Sequence, residues 1–107
     1  MSVTAEAFDV GASEEFPEGS ITARVVGDAE IVVIRQGGEL FALPDRCTHQ
    51  RYPLSDGELE DGKIRCLHHG ATFDLHTGKA TLPAVKKIQL FQAFEANGRV
   101  IVSLQEL

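Results

Sequence analysis

The pattern of apolar and polar positions predicts an all-β chain made of short strands and tight turns. Apolar and β-branched residues dominate two segments, Ile21–Val26 and Ala29–Gln36, and each segment has the length of a strand. The pair Gly37-Gly38 is typical of a two-residue hairpin turn, and it leads into a return strand over residues 39–43. We therefore expect an antiparallel sheet in the first half of the chain.

The last twenty residues predict a second hairpin. Strands over residues 88–96 and 99–104 flank the turn sequence Asn97-Gly98. Three further segments have the composition of short strands, and they lie at residues 3–8, 63–65 and 72–75. An acidic loop is predicted over 11–19, and no segment shows a sustained helical period. The expected fold is one domain over residues 1–107, a small antiparallel β-sandwich with a subdomain inserted at about residues 45–84.

Composition and charge exclude several classes of function. The chain has 107 residues and a formal net charge of −6. An acidic chain is poorly suited to nucleic acid or to anionic membrane surfaces. The longest apolar run, Ile31 to Ile34, is far shorter than the roughly 18 residues of a membrane span. The sequence MSVTAEAFDV lacks the pattern of a signal peptide, so we expect a cytoplasmic protein with reduced thiols.

The candidate chemistry is concentrated in residues 47–78. Both cysteines and all four histidines of the chain lie in this stretch. One group reads C-T-H at 47–49, the other reads C-L-H-H at 66–69, and 16 residues separate His49 from Cys66. Thiolates and imidazoles suit zinc, copper or an iron–sulfur cluster. A zinc finger usually separates its cysteines from its histidines, whereas here each arm offers one of each, which favours a [2Fe–2S] cluster whose two irons differ in ligands.

The pattern C-x-H, 16 residues, C-x-x-H resembles the signature of the Rieske family, in which two histidines replace two cysteines on one iron. The segment L-S-D-G at 54–57 resembles the rest of the family's first motif. His69-Gly70, Phe73-Asp74 and Thr77-Gly78 resemble the second motif. Leu67 departs from the family, which usually has proline there. The resemblance extends over nearly the whole chain and implies the Rieske fold.

By this resemblance, Cys47 and Cys66 bind one iron of the cluster, and His49 and His69 bind the other. His68 competes with His69 in sequence, but the spacing and the following glycine match the family's ligand at 69. We therefore expect His68 to be a surface residue that binds no metal, and His76 to be a polar loop residue. Pro53, Leu54 and the segment Leu82-Pro83 are candidates to shield the cluster.

The resemblance also implies a reduction potential at the low end of the Rieske range, on the order of −150 mV. In high-potential members a serine and a tyrosine donate hydrogen bonds to the cluster and to a cysteine sulfur. Ala71 and Phe73 occupy the matching positions and have no hydroxyl to donate. Those members also carry a cysteine pair that bridges the two loops, and this chain has no cysteines to spare.

The resemblance implies a one-electron carrier and not an enzyme, because no histidines remain for a second iron site. The expected partners are an NAD(P)H-dependent flavoprotein reductase and the terminal oxygenase of an aromatic-ring dioxygenase system. We expect a monomer that docks through its histidine-bearing tip, with its acidic surface meeting basic patches. The expected neighbours of that docking point are Gln50, Arg51, His68 and Pro83. Two alternatives remain open at this point: the small Rieske-like subunit of an assimilatory nitrite reductase, and a structural zinc-binding interaction module.

Overall fold

A computed structural model describes residues 7–46, 53–67, 70–82 and 86–106 of the chain. These residues form nine β-strands and two single-turn 3₁₀ helices, at Ser13–Glu15 and Leu54–Asp56. The strands are β1 (Ala7–Ala12), β2 (Ile21–Val26), β3 (Ala29–Gln36), β4 (Glu39–Pro44), β5 (Glu58–Glu60), β6 (Lys63–Arg65), β7 (Thr72–Asp74), β8 (Phe91–Ala96) and β9 (Arg99–Glu106). In this part of the chain no helix is long and apolar enough to cross a membrane.

The strands form two antiparallel sheets. A six-stranded sheet has the order β1-β9-β8-β4-β3-β2, and a three-stranded sheet has the order β5-β6-β7. One residue pair, Ala42 and Phe91, joins β4 to β8, so the larger sheet consists of two three-stranded halves with a narrow connection. The halves share one apolar core, in which Val100 and Val102 of β9 pack with Ile31 and Val33 of β3. The predicted all-β antiparallel fold is confirmed.

Strand β3 is buried on both of its faces. The four consecutive residues from Ile31 to Ile34 have no exposed surface. Ile31 and Val33 face the core inside the larger sheet, whereas Val32 and Ile34 belong to a second core that includes Ile64 and Phe73 of the small sheet. Because successive side chains of a strand point to opposite faces, the continuous apolar run is what this central position requires. The second core holds the small sheet against β3 and β4.

Strands β2, β3 and β6 have the predicted limits, and β4, β7 and β9 differ from the prediction by one or two residues at their ends. The first strand continues to Ala12 through a bulge between Asp9 and Gly11, where a loop was predicted, and residues 3–6 of that prediction lie outside the described residues. The prediction that a strand begins at residue 88 is wrong, because the Ile88 amide donates instead to the carbonyl of Gly78. Strand β5 was not predicted, because its sequence, Glu-Leu-Glu, shows no apolar alternation over a useful length.

Gly78 fixes the chain where it leaves the small sheet. Its φ is +79°, and a Cβ built at this position would lie 2.4 Å from the carbonyl oxygen of Ile88. The backbone of residues 78 and 88 is therefore in direct contact, with the Ile88 amide 2.8 Å from the Gly78 carbonyl oxygen. Only glycine allows this approach.

We expect Gly78→Ala to lower the free energy of unfolding by about 3 kcal/mol, because the added methyl group clashes with backbone as well as straining φ. Gly37→Ala is the matched control. Gly37 has a φ of +65° and no atom within 4 Å of a built Cβ, so its substitution costs only the backbone strain, about 1 kcal/mol. Urea denaturation of both variants measures the difference. Equal losses would show that the contact with Ile88 contributes nothing.

Candidate metal centre

Of the four predicted ligands, Cys66 is the one that lies within the described residues. Cys47, His49 and His69 lie outside them, as do Gln50, Arg51, His68 and Pro83, the predicted docking neighbours. Among the residues that the structure describes, no group of three or more His, Cys, Asp or Glu side chains is placed to hold a metal ion. The geometry of the centre is therefore described through Cys66 and the segments that lead into the two ligand loops.

Cys66 follows β6 and is fully buried in the core between the two sheets. Its amide donates to the carbonyl of Ala71 at 2.8 Å, and the amide of Gly70 donates back to the Cys66 carbonyl at 2.9 Å. Gly70 has a φ of +75°, which glycine adopts without strain. These two bonds hold the backbone of Gly70 and Ala71 against that of Cys66. The predicted ligand His69 directly precedes Gly70 in the sequence.

The surroundings of Cys66 fit an iron–sulfur cluster. A buried thiolate among apolar side chains is costly unless a metal binds it, and the chain supplies two thiolates and two imidazoles in the required order. Ala71 lies opposite Cys66, and the side chains of Ala71, Phe73 and Leu75, in β7 and on either side of it, belong to the same core as Cys66. All three side chains are at least 99% buried. Ala71 and Phe73, at the positions where high-potential members carry hydroxyl groups, therefore share a core with the Cys66 side chain.

The first ligand loop is held at both ends by Asp45 and Ser55. The Asp45 carboxylate accepts hydrogen bonds from the Ser55 amide at 2.7 Å and from the Ser55 hydroxyl at 2.8 Å. Leu54, one of the predicted shielding residues, is fully buried in the core that also contains Cys66. Pro53 is partly buried. Cys47 and His49 lie between Asp45 and Ser55 in the sequence.

A third segment is attached beside the second loop. The Thr81 hydroxyl accepts a hydrogen bond from the Thr72 amide at 2.8 Å and lies 2.9 Å from the Thr72 hydroxyl. The Thr81 amide donates to the Thr72 carbonyl at 2.9 Å. Since Thr72 also pairs with Arg65, the ends of three neighbouring segments lie at the same edge of the small sheet. Leu82 follows directly and is 78% exposed, and Pro83, the other residue of that predicted shielding segment, lies outside the described residues.

His76 lies away from this edge, in the turn after β7. Its Nε2 atom is 3.1 Å from a Glu39 carboxylate oxygen, and its ring contacts Phe41 edge-on with 5.0 Å between ring centroids. The Asp74 carboxylate organises the turn by accepting from the His76 and Thr77 amides, and these hydrogen bonds lower the pKa of Asp74. The structure therefore places His76 in a contact with β4, in agreement with its interpretation as a polar loop residue.

Charge is unevenly distributed between the two parts of the molecule. Residues 45–87 contain seven basic and six acidic residues, whereas the rest of the chain contains three basic and ten acidic residues. The three arginines of that acidic part each form an ion pair, Arg24 with Glu15, Arg35 with Glu95 and Arg99 with Asp9. The hydrogen bonds from Arg99 lower the pKa of Asp9. The acidic excess thus belongs to the six-stranded sheet, and the part that carries the ligand loops is nearly neutral.

Sequence reasoning missed the Asp45–Ser55 and Thr72–Thr81 contacts. Each pair joins residues that are nine or ten positions apart, and no periodic pattern marks such pairs. The signal that was available is position: Asp45 precedes the first motif and Ser55 lies in it, whereas Thr72 lies in the second motif and Thr81 follows it.

Comparison with known proteins agrees with these observations. The family model described as the Rieske [2Fe-2S] domain matches residues 6–92. The anthranilate 1,2-dioxygenase ferredoxin subunit of Burkholderia cepacia is 37% identical over 101 residues, which are 94% of this chain and 94% of the relative. The 3-phenylpropionate/cinnamic acid dioxygenase ferredoxin subunit of Photorhabdus laumondii is 35% identical over 95 residues, covering 87% of this chain and 90% of the relative.

Solved structures give the same picture of the fold. A chain in the complex of reduced oxygenase and oxidized ferredoxin in carbazole 1,9a-dioxygenase matches with a TM-score of 0.86 and 30% identity, covering 94% of this chain and 95% of that chain. The ferredoxin of carbazole 1,9a-dioxygenase from Nocardioides aromaticivorans matches with a TM-score of 0.86 and 25% identity, covering 92% of this chain and 98% of that chain.

Proposed function

Because the chain belongs to the Rieske [2Fe-2S] family, we propose that it carries single electrons from an NAD(P)H-dependent flavoprotein reductase to the terminal oxygenase of an aromatic-ring dioxygenase system. The protein is an electron-carrying ferredoxin, not an enzyme, and its cofactor is one Rieske-type [2Fe–2S] cluster. The zinc-binding alternative does not fit this family. The single observation that supports the proposed partners is the similarity to a dioxygenase ferredoxin subunit over 94% of both chains.

The proposed role has a simple physical basis. The bound cluster supplies a site that accepts and releases one electron. The protein supplies an apolar core that surrounds Cys66 and an edge of the small sheet at which Leu67 and Leu82 are exposed. We propose a single domain over residues 1–107, with a cluster-binding subdomain at about 45–84, acting as a cytoplasmic monomer. The similar proteins reported above are dioxygenase ferredoxins, which favours this role over a nitrite reductase subunit.

The direct test is reconstitution of electron transfer. The purified protein is mixed with NADH, a flavoprotein reductase and the terminal oxygenase of an aromatic-ring dioxygenase, such as anthranilate 1,2-dioxygenase. We expect oxygenase turnover to depend on the concentration of this protein. The system's own ferredoxin is the positive control. If that ferredoxin supports turnover and this protein gives no more turnover than its omission does, the proposed role is contradicted.

We propose that Cys47, His49, Cys66 and His69 are the cluster ligands. His69→Ala should therefore lose the visible absorption of the cluster and its iron content, because one iron loses a ligand. His68→Ala is the matched control, since it removes the neighbouring imidazole and should retain both. Iron and sulfide analysis with the visible spectrum checks the pair. Retention by the first variant and loss by the second would assign the ligand to position 68.

We propose a low potential that depends on Ala71 and Phe73. Ala71→Ser and Phe73→Tyr each add a hydroxyl group on the face of β7 that shares a core with Cys66. Each should raise the midpoint potential by on the order of 60 mV, because a hydrogen bond to a charged group contributes about 1.5 kcal/mol and 59 mV corresponds to a tenfold change for one electron.

Protein-film voltammetry measures these midpoint potentials. Phe94→Tyr is the control, because Phe94 lies on β8 and is 40% exposed outside both cores. It adds the same hydroxyl group and should leave the potential unchanged. A wild-type midpoint above zero, or equal shifts in all three variants, would contradict the account.

We propose that docking at the cluster end depends mainly on apolar contact. Leu67 and Leu82 are 51% and 78% exposed, and each follows a segment that ends at the same edge of the small sheet. The acidic excess lies outside residues 45–87. A docking surface that meets basic patches would therefore lie on the six-stranded sheet and not at this edge. Exposed leucines beside a centre that exchanges electrons suit a small, transient interface.

Leu82→Ala should weaken binding to a terminal oxygenase about fivefold, because truncating a central interface residue costs about 1 kcal/mol. The exposure of Leu82 makes an effect on folding small. Phe94→Ala removes an exposed apolar side chain from the six-stranded sheet and should leave binding unchanged. The dissociation constant, measured by titrating the oxygenase with each variant at two salt concentrations, checks this. Binding weakened by Phe94→Ala and not by Leu82→Ala would place the interface on the other sheet.

A further inference from the structure

The Asp45 carboxylate uses both of its oxygens on a single residue. One oxygen is 2.7 Å from the Ser55 amide nitrogen, and the other is 2.8 Å from the Ser55 hydroxyl oxygen. Asp45 directly follows β4, and Ser55 lies in the 3₁₀ turn Leu54–Asp56. The two residues therefore close a loop over residues 46–54. That loop contains two of the four proposed ligands, Cys47 and His49.

Each half of this contact is anchored to a different sheet. The Asp45 amide donates to the Glu30 carbonyl at 3.0 Å, which fixes Asp45 to the start of β3. On the other side, Leu54 is fully buried, and the Gly57 amide donates to the Leu54 carbonyl at 2.8 Å. A Cβ at Gly57 would lie 2.3 Å from the Arg65 carbonyl oxygen, so this turn lies directly against the end of β6. The residue after Arg65 is Cys66.

The chain has only two cysteines, and both are proposed ligands. No thiol remains for a disulfide that would hold the loops together. A hydrogen bond to a charged group contributes more than a neutral one, and two of them between the same residues restrict both distance and orientation. The carboxylate–serine pair thus has the location and the strength to replace a covalent link.

We propose that Asp45 and Ser55 form a noncovalent clip that positions the first ligand loop against the second, so that the protein retains its cluster without a disulfide. This inference rests on the proposed ligand set. Asp45 and Ser55 are positioning residues, because they act on the ligands through the backbone of residues 46–54.

The test measures cluster release from the loaded protein. Asp45→Ala removes both hydrogen bonds, and we expect the cluster's visible absorption to decay about tenfold faster in the presence of an iron chelator. Ser55→Ala removes the hydroxyl bond and keeps the amide bond, so its release rate should be intermediate. In the double variant the effect of Ser55→Ala should disappear, because its partner is already absent.

Two further variants separate positioning from general stability. Asp45→Asn retains an acceptor for the Ser55 amide and a donor for the Ser55 hydroxyl but loses the charge, so its release rate should lie between those of the wild type and Asp45→Ala. Asp74→Ala removes a carboxylate that also accepts from two groups, the His76 and Thr77 amides, in a turn without proposed ligands. It should lower the unfolding temperature and leave the release rate unchanged. The visible circular dichroism of the cluster should change in Asp45→Ala only.

Release rates that follow the unfolding temperature in all variants, or additive effects of Asp45→Ala and Ser55→Ala, would overturn the proposal. If Asp45→Ala assembles no cluster, the release rates of Ser55→Ala and Asp74→Ala are compared instead. Faster release in Ser55→Ala than in Asp74→Ala supports the proposal, and equal rates overturn it. Failure of the ligand set gives a different result, because the wild-type protein itself would then hold no Rieske-type cluster.

Discussion

The structure depends on the apolar core that β3 and β4 share with the small sheet. Val32 and Ile34 from the larger sheet meet Ile64 and Phe73 from the smaller one, and Cys66 lies within this core. A three-stranded sheet with strands of three residues is too small to be stable alone, so packing against β3 and β4 is what fixes it. Cys66, the proposed ligand within the described residues, therefore lies in a buried core that both sheets share.

The loops that leave this core are stabilised by short-range polar contacts. Asp45 with Ser55 closes the first loop, the Cys66–Ala71 backbone bond closes the second, and Thr72 with Thr81 attaches the third segment. These contacts join the described residues that flank the proposed ligand loops. The nearly neutral charge of residues 45–87 places the acidic excess of the chain away from this edge.

The sequence predicted what depends on local pattern and family motif. Strands β2 and β3 were predicted with correct limits, because continuous β-branched runs lie between turn residues. Strand β5 was missed because Glu58–Glu60 becomes a strand only through its pairing with β6. Strand β8 begins at Phe91 and not at 88, because the Ile88 amide is used in a contact with Gly78 that no local pattern reveals. The ligand assignment came from the motif, and within the described residues the structure adds the burial of Cys66.

The central claim is that two cysteines and two histidines of this chain hold a cluster that accepts one electron. Pulsed electron paramagnetic resonance of the reduced protein tests this most directly, because it counts unpaired electrons and detects the nitrogen nuclei bound to iron. We expect one unpaired electron per chain, coupled to two imidazole nitrogens, and we expect this signal to be absent from His69→Ala. A reduced protein without an unpaired electron, or with one that couples to no nitrogen ligand, would contradict it.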